Sequence, residues 1–289
     1  MSPALPVTVL VGASLMWGVM WWPLKSLHAL GIEGLPLTFV AYAASCVIML
    51  PILIAQRHRW RGQHGGLLAI AALGGYAALT FNVAMVYGEV VRVMVLFYLL
   101  PVWGVLGGRI FLGERIDAAR WLGVVLALTG AFLILGGLQA LDGSLSWPDI
   151  LAVTCGMAYA GNNLVFRARQ NLPVPSKLAA MQLGCVVIVA PLILLGLQPW
   201  PEVGAQSWLW VVVYGAGWLL LATAGTQWAV THMEAGRASI IIILELVTAV
   251  VTAVLIGGES MDRPELIGGS LILAAAIVEA RRPEPSQAV

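Results

Sequence analysis

The sequence predicts an all-α integral membrane protein whose ten transmembrane helices form two inverted five-helix repeats. Three observations carry this expectation. Apolar residues make up 60% of the 289-residue chain and charged residues only 10%, with a mean hydropathy of +0.92. A water-soluble domain holds about 45–50% apolar and about 25% charged residues. Ten apolar stretches follow one another along the chain, each near the about 20 residues needed to cross the hydrocarbon core. The last five repeat the first five at a nearly constant offset, and because five is odd the second copy must enter the membrane from the opposite side.

Hydropathy windows place the spans near 6–28, 34–55, 65–87, 91–112, 119–138, 147–168, 175–196, 206–230, 237–257 and 264–280. Span 1 follows a segment without Lys or Arg, so the charged flank of a cleavable signal peptide is missing and the span is expected to stay as a helix. Span 2 leads into the basic loop of Arg57, Arg59 and Arg61. Span 4 carries Pro101 deep in its interior, where proline frees a carbonyl and bends a helix. Bend and hinge are both open readings there. The Gly104-to-Gly108 step beyond it permits close helix approach. Glu114 and Glu259 close spans 4 and 9, and Asp117 and Asp262 open spans 5 and 10. The sequence Asp262-Arg263-Pro264-Glu265 resembles a capping box with proline in the first turn. Spans 5 and 6 are separated by a short Gly, Asp and Ser loop at 136–149, too short for a soluble domain. A single membrane domain over 1–289, with repeats at 5–138 and 147–281, is expected.

Charge orients the chain. With the amino terminus in the cytoplasm, twelve of the fifteen Lys and Arg fall inside and only Lys25, Arg92 and Arg263 outside, the bias that insertion favours. Both termini are then cytoplasmic. Trp60 and Trp121 flank inner ends, and Trp147, Trp200, Trp208 and Trp210 flank outer ends, the depth that amphipathic rings prefer. Glu89 with Arg92, and Glu234 with Arg237, sit at short turns at the i, i+3 spacing that pairs charges on a helix.

The duplication is most visible where residues 77–131 are set against 222–276. At an offset of 145, Glu89 matches Glu234, Arg92 matches Arg237, Gly113-Glu114 matches Gly258-Glu259, Asp117 matches Asp262 and Gly123 matches Gly268. Matches of charge and glycine in one register are hard to produce by chance. Nearer the start of each half the offset is 142, with Trp17 and Trp21 opposite Tyr159 and Asn163. Inverted duplication of this kind places a substrate site between the halves near the midplane.

Several function classes lose support. Cys46, Cys155 and Cys185 are scattered singly through apolar spans, without metal or disulfide spacing. A net charge of +1 offers no field for nucleic acid. No phosphate-binding glycine loop and no histidine metal motif occurs, so neither metal nor cofactor is expected. A membrane enzyme would need a nucleophile, base or metal cluster that the spans do not carry.

Candidate substrate residues follow from polarity inside apolar spans. Glu245 lies about eight residues into span 9, where a charge costs about 2.5–3.5 kcal/mol or more. It reads as a substrate-ammonium contact, a proton-coupling site, or a carboxylate packed on a polar neighbour. Asn82 and Gln227 occupy matching repeat positions and each offers an amide, as ligand groups or as interhelical glue. Trp17 and Trp21 share a helix face, as do Tyr159 and Asn163 on span 6. Tyr98, Trp103 and Trp228 add aromatic surface. As a set these rings suit a flat ligand and an ammonium.

The pattern of Pro101, Gly113-Glu114-Arg115, Gly123 and Gly130, and again Gly258-Glu259, Gly268 and Gly269, resembles the EamA-type repeat of the drug/metabolite transporter superfamily. In the second copy Leu246 stands where the proline would be, and Glu245 resembles the acidic partner of that proline. The segment 97–101 and the aromatic first helix look most like the aromatic amino acid exporters. The resemblance implies alternating-access export or facilitated diffusion of amino acids, aromatic ones favoured, or of related metabolites across a bacterial inner membrane. Its alternative is proton-coupled multidrug or metabolite efflux. The expected partners are a small-molecule substrate and the bilayer, with the protein a monomer or weak dimer.

Overall fold

The computed structural model describes residues 4–88, 90–138, 144–256 and 262–281. Among them every regular element is helical. In chain order these are α1 (Ala4–Gly18), α2 (Trp21–Ala29), α3 (Gly34–Ala55), a 3₁₀ turn (Arg57–Trp60), α4 (His64–Tyr87), α5 (Val90–Phe97), α6 (Leu100–Leu112) and α7 (Ala118–Ile134). Then come α8 (Trp147–Ala168), α9 (Val174–Leu194), α10 (Ala205–Val213), a π-helical turn (Tyr214–Leu219), α11 (Leu220–His232), α12 (Ala235–Ile242), α13 (Leu244–Leu255) and α14 (Arg263–Ala280).

Seven segments are long and apolar enough to cross a membrane: Ala4–Ala29, Gly34–Ala55, His64–Met85, Val93–Leu112, Val174–Leu194, Ala205–His232 and Ala235–Leu255. Ala118–Ile134 and Leu266–Ala280 are shorter apolar helices. α8 spans 22 residues but carries Asp149, Asn162, Asn163 and Arg167, which dilute its apolar character.

Three expected spans are not continuous helices. Span 1 breaks at Val19–Met20, between α1 and α2; Pro23 in the first turn of α2 has no N–H to return to Val19, whose carbonyl accepts from Trp22 instead. Span 4 breaks at Tyr98–Leu99, so Pro101 lies in the first turn of α6, the position where a missing N–H costs nothing. Span 9 breaks at Ile243 without any proline, by an i→i+3 bond from Leu246 N to Ile243 O. Tyr98 and Ile243 are the same position of the internal duplication, 145 residues apart.

Lipid is as apolar as leucine, so close packing at small residues substitutes for hydrophobic burial in holding such helices together. α7 lies against α14, where a methyl on either Gly130 or Gly268 would overlap the other's carbonyl. α4 is packed by α8 and α9, with Gly75 against the backbone of Gly184. Gly104 of the expected GxxxG step lets α6 approach Ser239 of α12.

At one end of the bundle a buried ion cluster joins the two halves. Arg120, 1% exposed, donates to Glu279 at 2.9 Å and to Glu234 at 2.5 Å, with Glu114 at 3.5 Å. Glu114 also accepts from the backbone N–H groups of Ala235 and Gly236, and so caps α12. Burial holds its carboxyl above the ordinary range, against the lowering effect of those backbone donors. Asp117 accepts from Arg120 N and caps α7, as its position predicts. Glu234 turns to Arg120, and Arg237 donates to Ala280 O, so tertiary partners replace the i, i+3 pairing expected at this turn. The corresponding Glu89, together with Glu259, lies outside the described residues, as do the side chains of Arg92 and Glu265.

Candidate functional site

The opposite half of the bundle holds a cavity of about 310 Å³ bordered by helices from both halves of the chain. Its walls are aromatic for a reason of local structure: the α1–α2 break, the α5–α6 break and the π turn each deliver a ring. The α1–α2 break sets Trp17 and Trp21 on the lining, and the α5–α6 break sets Phe97 and Tyr98 there. The π turn supplies Tyr214 and Leu219. It is held open by Ser45, whose hydroxyl donates to Gly215 O at 2.6 Å, while Gly215 itself lies directly on the backbone of Ala41. A wide turn at a ligand site is a common use of π geometry.

Phe97 is the centre of the aromatic wall. Its ring lies 5.2 Å from Phe81, 5.4 Å from Tyr98 and 6.1 Å from Tyr159, edge-on or tilted in each case, arrangements favoured by the ring quadrupoles. The indole N–H groups of the two tryptophans are not aimed at a ligand. Trp17 donates to Thr226 of α11 at 3.1 Å, and Trp21 to Thr252 of α13 at 2.9 Å. Those bonds fix the planes of the rings and leave their faces as wall.

Glu245, in the first turn of α13, is the one carboxylate among the described lining residues. Tyr98 Oη donates to its Oε1 at 3.0 Å. Lys, Arg and His are absent from the described lining. Polar atoms are few: Asn82, whose amide donates to Ala78 O, Thr38 and Thr223, each bonded back to its own helix, and the tyrosine hydroxyls.

The ten candidate residues therefore separate. Trp17, Trp21, Asn82, Tyr98, Tyr159 and Glu245 line one cavity. Asn163, Gln227, Trp103 and Trp228 do not. Gln227 is fully buried and donates to Asn163 at 3.1 Å, an interhelical bond between α11 and α8. Trp228 lies tilted against His232, ring centres 4.5 Å apart. Trp103 packs against the main apolar core, its indole N–H buried without a partner. Pro101 is buried one turn beyond Tyr98, at the start of α6. Tyr42, Phe81, Phe97, Tyr214 and Thr223 line the cavity and were not picked out by sequence. Only Phe97 carried a local signal, its place beside Tyr98 and Pro101.

Comparison with known proteins bears on this arrangement. The EamA-like transporter family model matches residues 4–136 and again 146–279. This chain belongs to the EamA-like transporter family. It is thus a multi-pass membrane protein of a transporter family, and the EamA-like chain has relatives named as transporters. It is 23% identical over 250 residues to an uncharacterized transporter of Archaeoglobus fulgidus, covering 86% of this chain and 87% of that one. It is 27% identical over 215 residues to a riboflavin transporter of Vibrio cholerae, covering 70% and 67%. One solved crystal structure superposes with a TM-score of 0.77 over 96% of this chain and 99% of its own, at 20% identity, a likeness of fold.

Proposed function

We propose that this EamA-like protein is a secondary transporter that moves small metabolites with a flat aromatic part, aromatic amino acids among them, by alternating access. The observation that carries the reading is the aromatic-walled cavity between the halves, floored by Glu245 and Tyr98. Its volume of about 310 Å³ lies within the roughly 300–1,000 Å³ of small-molecule sites.

In this reading ten spans form two inverted repeats, 5–138 and 147–281, in a bacterial inner membrane with both termini cytoplasmic. The lining residues Met20 and Leu24, Leu37, Met85 and Met94 all belong to span ends that the positive-inside bias puts outside. This reading puts the cavity toward the outer side and the Arg120 cluster toward the inner end. Pro101, beside the Tyr98–Leu99 break, serves as a hinge when the halves rock.

The decisive experiment is uptake by purified protein in liposomes over a panel of amino acids and cationic dyes, with and without a pH gradient. Saturable uptake of aromatic over aliphatic amino acids supports the reading; no saturable uptake of any aromatic compound rejects it. A second reading, transport of a larger flat heterocycle, is favoured by the riboflavin transporter relative and by the number of aromatic rings in the wall. Riboflavin belongs on the same panel.

A further inference from the structure

The cavity's charge is as one-sided as its surface is aromatic. Among the described residues that line it there is one carboxylate, Glu245, and no Lys, Arg or His. Most of the lining donors are engaged, the Trp17 and Trp21 indoles on Thr226 and Thr252, the Thr38 and Thr223 hydroxyls on their own helices, and Tyr98 on Glu245 itself, and those that remain, the Tyr42, Tyr159 and Tyr214 hydroxyls and the second amide N–H of Asn82, are uncharged. A carboxylate entering this space gives up water, meets no opposite charge among the described lining residues, and approaches a like one. An ammonium meets both a carboxylate and ring faces, the two groups that stabilise it best.

Among the described residues, Lys25 is a cation beside a lining ring, exposed, its Nζ 5.1 Å from the Trp21 ring centre. Trp21 is tied to Thr252, seven residues along α13 from Glu245, which at 1.5 Å rise per residue is about 10 Å. In an α-amino acid the carboxylate and the ammonium share one carbon. With the ammonium at Glu245, its carboxylate stays at the floor and does not reach Lys25.

Resting on the transport reading above, the geometry points to aromatic amines without a carboxylate as the preferred substrates: decarboxylated or esterified relatives of aromatic amino acids, with the ammonium on Glu245 and the ring against Phe97, Trp17 and Trp21. The zwitterionic parent is a poorer ligand, and an aromatic acid is excluded. Selectivity then comes from the carboxylate the ligand lacks, not from the ring.

Calorimetric titration of the purified full-length protein at neutral pH with four ligands of one indole ring tests this: tryptamine, tryptophan methyl ester, tryptophan and indole-3-propionate. Tryptamine and the ester are expected to bind at least 10-fold more tightly than tryptophan, with indole-3-propionate silent. Glu245→Gln is expected to remove that 10-fold preference, while Glu245→Asp keeps part of it. Tryptophan or the acid binding as tightly as tryptamine overturns the inference and leaves aromatic transport standing. Silence from all four overturns the inference, and the transport reading is then decided by the liposome panel. The wild-type comparison decides the matter even if the glutamine variant fails to fold.

Discussion

Tyr98 and Glu245 come from opposite halves of the chain and meet at a 3.0 Å hydrogen bond on the cavity floor. Each stands beside a helix break at corresponding positions of the internal repeat. Tyr98→Phe keeps the ring on Phe97 and removes only the hydroxyl. A bond to a charged acceptor contributes about 1.5–3 kcal/mol, so the thermal midpoint in detergent is expected to fall by several degrees. An unchanged midpoint would show that the bond contributes nothing to joining the halves.

If Glu245 couples transport to protons, Glu245→Gln removes pH-gradient-driven flux and spares substrate exchange. The two are separable in the same liposomes. Exchange needs only the cavity and its motion, whereas driven flux needs a group that takes up and releases a proton. Driven flux at the wild-type rate rejects coupling through this residue.

The aromatic wall makes a prediction about shape. Trp21→Ala opens the wall and unties α2 from Thr252, so aromatic uptake is expected to drop at least 10-fold more than aliphatic uptake. Trp21→Phe keeps a ring face and loses the indole bond, and is expected to recover most of the selectivity. Equal losses for both substrate classes would mean that Trp21 holds the fold without reading the ligand.

How far the sequence could be read has a physical limit set by the bilayer. A carboxylate in an apolar run has few explanations, so Glu245 stood out. Pro23 and Pro101 mark two of the three helix breaks by their missing donors. The break at Ile243 has no such residue to mark it; there α12 packs against α6. Tyr42 and Tyr214 stayed hidden because a helix between lipid and apolar protein is hydrophobic all round, and periodicity no longer tells inside from outside. The same loss put Trp103, Trp228 and Gln227 among the candidates although they are packed elsewhere. Charge pairing misled around Arg120, where the carboxylates it meets include Glu234 and Glu279, 114 and 159 residues away.

The Arg120 cluster allows a severe test of the packing at its end of the bundle. Three carboxylates converge on one guanidinium, and Glu279 is fully buried. Removing one partner of a buried pair costs about 3–5 kcal/mol because the remaining charge has no water. Arg120→Met is therefore expected to abolish folded yield, whereas the double variant Arg120→Met with Glu279→Gln recovers part of it. Wild-type yield and midpoint for the single variant would show that the cluster is solvated, contrary to the burial described.

Glycine packing behind the site supplies a prediction with an internal control. Gly18 and Gly12 lie on the same helix, α1, with different surroundings. A methyl at Gly18 would collide with Glu245 O and with Thr248 on α13, whereas one at Gly12 meets nothing within 4 Å. Gly12→Ala should be neutral or stabilising, because alanine is about 1 kcal/mol better than glycine inside a helix. Gly18→Ala has the same helix gain but must push α1 off the backbone that carries Glu245, an overpacking cost of about 1–3 kcal/mol. Its thermal midpoint should fall below that of Gly12→Ala, and its amine affinity should fall with it, because the displaced element is the one that positions the carboxylate. Equal midpoints and equal affinities would mean that α1 and α13 do not meet at Gly18, and the wall that places Trp17 and Trp21 around the cavity would have to be drawn differently.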